Sequence, residues 1–114
     1  ITLTLALSYS AKWEITEAVR KLAEKVKNGQ LLPDEINEDI FSKELLTYGM
    51  PDPELLIRTS GEKRISNYLL WQTAYSEFYF SDEYWPDFSK QSFYTAIADY
   101  QSRERRFGKI SEQL

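Results

Sequence analysis

The sequence predicts an α/β protein with a mostly parallel sheet flanked by helices. Short β-rich apolar runs alternate along the chain with longer runs whose apolar residues recur every three or four positions. Polar, Gly- and Pro-containing segments separate these runs. We expect a sheet of about three strands, which leaves exposed edges and one modest core. Such a sheet is predicted to need further chain or an associated subunit.

The first half of the chain contains one predicted strand and two predicted helices. Residues 1–8 are mostly apolar and β-rich, as in a buried parallel strand. Residues 13–27 carry apolar side chains on one helical face, and Asn28 and Gly29 follow as a C-cap. A shorter helical stretch is predicted for residues 33–46. The segment from Gly49 to Pro53 ends it.

The second half repeats this alternation. Residues 55–58 and 77–80 are predicted strands, and a helix is expected around residues 68–74 between them. Trp85, Pro86 and Asp87 form a predicted turn. Residues 89–107 are predicted to form the last long helix. The complete order is therefore strand, helix, strand, helix, strand, helix.

Composition excludes several classes of function. The chain has 114 residues, a net charge of −4, no cysteine and no histidine. Thiolate catalysis, Cys-ligated zinc and a Ser-His-Asp triad are therefore impossible within it. A general nucleic-acid-binding surface is not expected from an acidic chain. No apolar run reaches the length of about 20 residues that spans a bilayer, so we predict a cytoplasmic protein.

The start of the chain predicts that it belongs to a longer protein. A predicted strand begins at residue 1 with no lead-in, and the only methionine is Met50. A core strand at the first residue is typical of a protein that has been cut. We therefore expect a fragment.

The most informative segment is residues 58–67, directly after the predicted strand 55–58. It contains Arg58, Arg64, a Ser60-Gly61 turn and Ser66. Guanidinium groups bind phosphate oxygens in pairs of hydrogen bonds, and hydroxyl and loop N–H groups complete such a site. Ligands of α/β proteins bind beyond the carboxyl ends of the strands. The segment thus predicts a diphosphate-binding loop.

The alternative for the two arginines is pairing with surface carboxylates. Glu54 and Glu62 are the nearest acidic partners in the sequence. For two arginines in an arbitrary context, this alternative would be favoured, because surface pairs are common. The position after a strand, with a glycine turn and Ser66 close behind, favours the anion site instead.

Glu77 and the aromatic residues around it have two interpretations each. Glu77 is either a solvent-facing strand residue or a metal ligand, since Mg²⁺ uses one or two carboxylates together with substrate phosphates. Spacing alone favours the solvent-facing role. Most aromatic residues lie between Tyr68 and Tyr100. Most of them are expected in the core and some at an interface.

A basic cluster, residues 103–109, follows the last predicted helix. Cations at a helix C-terminus interact favourably with the helix dipole, and this account is sufficient. A phosphate-binding tail that reaches a neighbouring subunit is the alternative. Periodicity does not distinguish the two.

Several separate blocks together resemble the cis-prenyltransferase family, which includes the bacterial undecaprenyl diphosphate synthases. The resemblance covers essentially all 114 residues, in order and in spacing. Its blocks are Arg58-Thr59-Ser60-Gly61-Glu62, Arg64-Ile65-Ser66-Asn67, Leu69-Leu70-Trp71-Gln72, Tyr75-Ser76-Glu77, Trp85-Pro86-Asp87-Phe88 and Arg103-Glu104-Arg105-Arg106-Phe107-Gly108.

The resemblance implies an activity and its residues. Family members condense isopentenyl diphosphate onto an allylic diphosphate such as farnesyl diphosphate, require Mg²⁺ and form homodimers. The bacterial product is a C55 lipid carrier used in cell-wall synthesis, which implies peripheral membrane contact through that product. Arg58, Arg64 and Ser66 would hold isopentenyl diphosphate, and Glu77 would help position Mg²⁺. Arg106 and Gly108 would reach the partner subunit's site.

The chain also departs from the family pattern. The family's Asp-Gly-Asn-Gly-Arg loop, which supplies a catalytic Asp, is not among these residues. Ser10-Ala11-Lys12 stands where the family usually shows Gly-Gly-Arg. We therefore expect residues 1–114 to be the C-terminal half of a single cis-prenyltransferase domain, inactive by itself. The alternative is a non-catalytic partner subunit that lends its Arg-Phe-Gly tail to a separate catalytic chain.

Overall fold

The chain folds into two units, which the computed structural model describes over all residues 1–114. The first unit contains Ile1–Pro51 and Ser66–Trp71, and the second contains Asp52–Ile65 and Gln72–Leu114. Each unit is therefore made of two chain segments. None of its helices has the length and hydrophobicity of a bilayer-spanning segment.

The main element of the first unit is helix α1, Ala11–Lys27. Ser10 caps its start, because the Ser10 hydroxyl accepts a hydrogen bond from the Trp13 N–H at 3.3 Å. Ala18 and Leu22 are buried on its apolar face. The helix ends at Lys27 with Asn28 as its C-cap, and Gly29 follows with a φ of +72°, as in a helix C-terminal turn. The predicted helix over residues 13–27 is confirmed and begins two residues earlier.

The second predicted helix is interrupted. Residues Pro33–Glu35 form one 3₁₀ turn, and helix α2 covers only Glu38–Lys43. The interruption comes at Asn37, whose backbone is extended and whose side chain accepts from the Ile40 N–H at 2.9 Å. Asn37 thus starts a new helix at a position where the apolar spacing alone predicted a continuous one.

A buried carboxylate connects α1 to the chain after α2. Glu14 is only 2% exposed, and its side chain accepts hydrogen bonds from the Leu46 N–H at 2.8 Å and from the Tyr9 hydroxyl. A buried charge without such donors would be strongly destabilising. Glu14 therefore fixes the positions of two loop segments against the helix.

The predicted first strand does not form. Residues 1–7 adopt no regular structure, and Ile1, Leu3, Leu5 and Leu7 are all exposed. The sheet has two strands, so residues 1–7 have no neighbour to share a hydrogen-bond ladder. The predictions of a strand over residues 1–8 and of about three strands are therefore wrong for this structure.

The predicted helix over residues 68–74 is also wrong, because this segment is a series of turns. Ser66, Asn67 and Leu69 have φ values of +52°, +60° and +47°. Left-handed backbone at three nearby positions is incompatible with the start of an α-helix. In the first unit Trp71 is held by Phe41, at 4.4 Å between ring centres, and donates from its indole N–H to the Ser42 hydroxyl at 3.0 Å.

The second unit is built on two parallel strands, β1 (Leu55–Arg58) and β2 (Glu77–Phe80). Their register places Leu55 beside Glu77 and Arg58 beside Phe80. Both strands were predicted with these bounds, and their parallel pairing confirms the α/β class.

Helix α3, Lys90–Gln101, follows a 3₁₀ turn at Trp85–Asp87 and contacts β2. Ser89 caps the helix by accepting from the Ser92 N–H at 3.1 Å. The predicted helix over residues 89–107 ends six residues early. Phe107 and Gly108 have φ values of +50° and +77°, which continue no right-handed helix.

We expect Tyr9 to make the protein less stable at alkaline pH. Burial, followed by the hydrogen bond to the carboxylate of Glu14 and its charge, raises the pKa of Tyr9 above its usual value near 10. Above that pH a tyrosine ionises in the unfolded chain while folded Tyr9 stays neutral, so the free energy of unfolding falls as pH rises. Below that pH the contribution of Tyr9 to the free energy of unfolding is fully present.

Urea unfolding between pH 8 and pH 11 measures the effect. Tyr9→Phe should show a shallower alkaline loss of stability than the unaltered protein. Tyr48→Phe is the matched control, since the side chain of Tyr48 is 66% exposed and donates to no other side chain. The prediction would be contradicted if the free energy of unfolding fell equally steeply with pH in the unaltered protein and in Tyr9→Phe.

Candidate functional site

The loop after β1 folds back over the end of β2. The Arg58 carbonyl accepts from the Ser81 N–H at 2.8 Å, which continues the strand pairing by one step. Ser60 and Gly61 then turn with φ values of +68° and +67°. Their N–H groups donate to the carbonyls of Glu83 at 2.7 Å and Ser81 at 2.9 Å. The loop is thus fixed by backbone bonds.

These backbone hydrogen bonds use donors that the predicted diphosphate-binding loop was expected to offer to a ligand. The sequence predicted that loop N–H groups would bind an anion, but those of Ser60 and Gly61 are already paired. Other donors of the loop remain, among them its hydroxyl and guanidinium groups. An anion at this loop would therefore have to bind without the Ser60 and Gly61 N–H groups, and Arg58 is the cation at the strand end.

The structure distinguishes the two arginines of the loop. Arg58 is half-buried at the last position of β1 and forms no ion pair. Arg64 is 64% exposed and pairs with Glu62, with 2.5 Å between Nη1 and Oε2. The surface-pairing alternative thus describes Arg64 and not Arg58. Ser66, the third predicted residue, belongs to the first unit and is exposed there with left-handed backbone.

Glu77 lies at the opposite end of the strand pair from Arg58. It is the first residue of β2 and pairs in register with the first residue of β1, three residues before Arg58. At a rise of about 3.3 Å per residue, roughly 10 Å separates their backbone positions. The structure therefore does not place Glu77 beside the Arg58 loop.

Glu77 instead lies in the wall of a cavity of about 410 Å³. One wall is formed by the chain that enters β2 and the other by the segment after α3. The lining residues are Ala74, Tyr75, Ser76, Glu77, Glu104, Arg105, Arg106, Phe107 and Gly108. The cavity thus brings together three of the predicted residues, namely Glu77, Arg106 and Gly108.

The two predicted residues of the tail (residues 103–109), Arg106 and Gly108, differ in their surroundings. Arg106 is 59% exposed and donates from Nε to Glu104 Oε2 at 3.0 Å. At Gly108 the backbone φ of +77° explains the glycine, because a side chain there would be strained. A Cβ would meet only Tyr75 Cε1, at an ordinary distance of 3.8 Å. Conformation, and not lack of space, requires glycine at this position.

Glu104 is held as an anion in this tail. The Ser111 hydroxyl donates to its carboxylate, and the Arg106 guanidinium pairs with it. These hydrogen bonds, first that of Ser111 and then that of Arg106, lower the pKa of Glu104 below its usual range. Arg106 therefore has a permanently charged partner at neutral pH.

Arg105 was not predicted as a site residue, although it fixes the tail against the entrance to β2. Its Nη1 donates to Glu54 Oε1 at 2.8 Å, and its Nη2 donates to the Tyr75 carbonyl at 3.2 Å. Its guanidinium lies 4.4 Å from the ring centre of Phe107, and its Nε has no hydrogen-bond partner. The sequence showed a basic cluster, but no pattern in it indicates which arginine turns inward.

The donor set at Glu77 fits a magnesium ion bound together with a phosphate ligand. Mg²⁺ uses one or two carboxylates, and water and substrate phosphates complete its octahedron. Glu77 supplies one hard oxygen ligand, and no cluster of three or more acidic side chains that could enclose a metal exists in the chain. The one cation within ion-pair distance is Arg103, whose Nη1 lies 3.8 Å from Oε1, beyond hydrogen-bond length. Lone pairs on the carboxylate thus stay open to a cation.

Comparison with known proteins shows the family of the chain. A sequence model of the prenyltransferase family, described as undecaprenyl diphosphate synthase, matches residues 1–108. The chain therefore belongs to the undecaprenyl diphosphate synthase family of cis-prenyltransferases. The resemblance inferred from the separate sequence blocks is confirmed.

Curated relatives cover the chain from end to end. It is 57% identical over 114 residues to an isoprenyl transferase of Porphyromonas gingivalis, covering 100% of this chain and 45% of that protein. It is 53% identical over 114 residues to a ditrans,polycis-undecaprenyl-diphosphate synthase, farnesyl-diphosphate specific, of Aliivibrio fischeri, covering 100% of this chain and 44% of that protein. The chain thus spans less than half the length of these relatives.

A solved structure is similar as well. It is lavandulyl diphosphate synthase from Lavandula x intermedia in complex with dimethylallyl diphosphate. The TM-score is 0.89 at 45% sequence identity, over 92% of this chain and 45% of that one. Identity at this level, together with the fold, supports the family assignment.

Proposed function

We propose that the whole protein to which these residues belong condenses isopentenyl diphosphate onto an allylic diphosphate, such as farnesyl diphosphate. Its product would be a cis-polyprenyl diphosphate of the undecaprenyl type, used as a cell-wall lipid carrier. The family match over residues 1–108 is the observation that carries this proposal. The reaction would take place in the cytoplasm, with peripheral membrane contact through the lipid product.

The isopentenyl diphosphate is held in this proposal by Arg58, Arg64 and Ser66. Arg58 is half-buried without an ion pair, so its guanidinium can take a diphosphate without first losing a partner. Arg64 would exchange the exposed Glu62 for the substrate, which costs little because surface pairs are weak. The hydroxyl of Ser66 adds a neutral donor.

Magnesium is proposed to bind at Glu77. When bound, Mg²⁺ would stabilise the negative charge that grows on the departing diphosphate as the allylic bond breaks. The cavity residues Arg105 and Arg106 add positive charge beside Glu77, which favours an anionic ligand there. Glu77 itself would hold a hard cation in place through its carboxylate.

The tail with Arg106 and Gly108 is proposed to serve the site of a partner subunit in a homodimer. Arg106 is exposed and bonds only to Glu104 within the tail, so it can turn to a neighbouring chain. The left-handed backbone at Phe107 and Gly108 directs the chain away from the line of α3. The retained Arg58, Arg64, Ser66 and Glu77 favour a catalytic subunit over a partner that only lends its tail.

Arg58→Ala in the whole protein should raise the KM for isopentenyl diphosphate about 10- to 100-fold. A hydrogen bond to a charged group contributes about 1.5–3 kcal/mol, which corresponds to this range. The KM of Arg58→Lys should lie between those of the unaltered protein and of Arg58→Ala, because an ammonium keeps the charge but loses the paired geometry of the guanidinium. Steady-state kinetics with labelled isopentenyl diphosphate provide the measurement.

The control for Arg58 is Arg20→Ala. Arg20 is 66% exposed on α1 and pairs only with Glu17, so its removal should leave the KM unchanged. A KM for Arg58→Ala equal to that of the Arg20 variant would remove Arg58 from the substrate site.

Glu77→Gln should raise the Mg²⁺ concentration required for half-maximal activity by about tenfold. The amide keeps the shape of the side chain but carries no charge for the cation. Glu17→Gln, at the surface of α1, is the matched control. An unaltered Mg²⁺ midpoint in Glu77→Gln would refute the metal role.

The 114 residues alone should show no prenyl transfer. They lack the Asp-Gly-Asn-Gly-Arg loop that the family resemblance assigns to the allylic substrate. Incubation with labelled isopentenyl diphosphate, farnesyl diphosphate and Mg²⁺ checks this expectation. Formation of chain-elongated product would disprove it.

A further inference from the structure

Arg103 is the most fully bonded charged side chain near the cavity. Its Nε and Nη2 both donate to Asp99 Oδ2, at 2.9 and 2.5 Å. Its Nη1 donates to the Phe78 carbonyl at 2.8 Å. The side chain is 30% exposed, so these bonds form in a partly dry environment. The guanidinium is thus fixed between the end of α3 and the middle of β2.

The same guanidinium faces Glu77 without capturing it. Nη1 lies 3.8 Å from Glu77 Oε1, inside the range of an ion pair but beyond hydrogen-bond length. A free arginine beside a carboxylate forms two parallel hydrogen bonds, since the two groups match in shape. Asp99 and the Phe78 carbonyl take three of the five N–H groups of Arg103 and fix the orientation of its guanidinium, which holds Nη1 at this distance from Glu77.

We propose that Asp99 and Arg103 are a positioning pair for Glu77. Arg103 supplies a fixed positive charge that holds the Glu77 carboxylate at the cavity wall. Asp99 restrains Arg103, so that the carboxylate stays open to a divalent cation and is not engaged in direct hydrogen bonds with the guanidinium. This inference rests on the proposed metal role of Glu77 and adds two residues to which the sequence assigned no role at the site.

The restraint predicts weaker Mg²⁺ binding when Asp99 is neutralised. In Asp99→Asn the guanidinium loses its charged partner, and Glu77 is the nearest remaining carboxylate to it. Arg103 should then form direct hydrogen bonds with Glu77 and compete with the cation. The apparent affinity for Mg²⁺ should fall about tenfold, the order expected for one charge-assisted contact.

The experiment is a double-mutant cycle in the whole protein. Binding of Mg²⁺ in the presence of inorganic diphosphate is measured by calorimetry, and the Mg²⁺ midpoint of activity is measured alongside. Asp99→Asn should weaken binding, whereas adding Asp99→Asn to Arg103→Met should change nothing further, because the competing group is absent. A purely structural role would lower the unfolding midpoint in both backgrounds and leave Mg²⁺ binding unchanged.

Asp39→Asn is the matched control, because Asp39 pairs with Lys43 at the same helical spacing of four residues on α2. Should Asp99→Asn fail to fold, Asp99→Ser removes the same charge with a smaller polar group and is measured instead. Mg²⁺ binding equal to that of the Asp39 control overturns the proposal. A loss of Mg²⁺ binding when Asp99→Asn is added to Arg103→Met also overturns the proposal.

Glu77→Gln, measured in parallel, separates two kinds of failure. Unchanged Mg²⁺ binding in Glu77→Gln refutes the metal role and the positioning pair with it. A loss in Glu77→Gln without a loss in Asp99→Asn refutes only the positioning pair.

Discussion

The parallel pairing of β1 (Leu55–Arg58) with β2 (Glu77–Phe80) is the constraint on which the second unit depends. Backbone bonds extend the pairing beyond both strand ends, from the Glu77 N–H to the Glu54 carbonyl and from the Ser81 N–H to the Arg58 carbonyl. One end therefore fixes the loop that carries Arg58, and the other fixes the cavity wall that carries Glu77. A shift in register would displace both at once.

The segment after α3 depends on the same strands. Arg103 bonds to the Phe78 carbonyl within β2, and Arg105 bonds to Glu54 and the Tyr75 carbonyl just before each strand begins. Arg106 bonds only to Glu104, at the surface. Two arginines thus attach the tail to the sheet, and the third remains exposed. Three neighbouring residues of one type have different roles because the backbone turns between them.

The sequence predicted what local patterns determine and failed where distant partners decide. The strands at 55–58 and 77–80 and the helix α1 were predicted, because apolar spacing and capping residues specify them locally. Residues 1–8 have the composition of a strand, but a strand also needs a neighbour, which composition does not reveal. At the site, the residue types in the sequence pointed to Arg58 as a candidate phosphate-binding residue and to Glu77 as a candidate metal ligand. The inward turn of Arg105 and the contact of Arg103 with Glu77 depend on tertiary packing, which leaves no pattern in the sequence.

The separation of Arg58 from Glu77 bears on the kind of reaction the proposed enzyme performs. Roughly 10 Å of strand lies between their backbone positions, so the two side chains start from opposite ends of the strand pair. In the proposed condensation of two diphosphates, one anion would be held at the arginine loop, and the other would meet the cation at the carboxylate. The proposed pairing of isopentenyl diphosphate with an allylic diphosphate is a reaction of this kind, and the strand pair keeps its two charged ends apart.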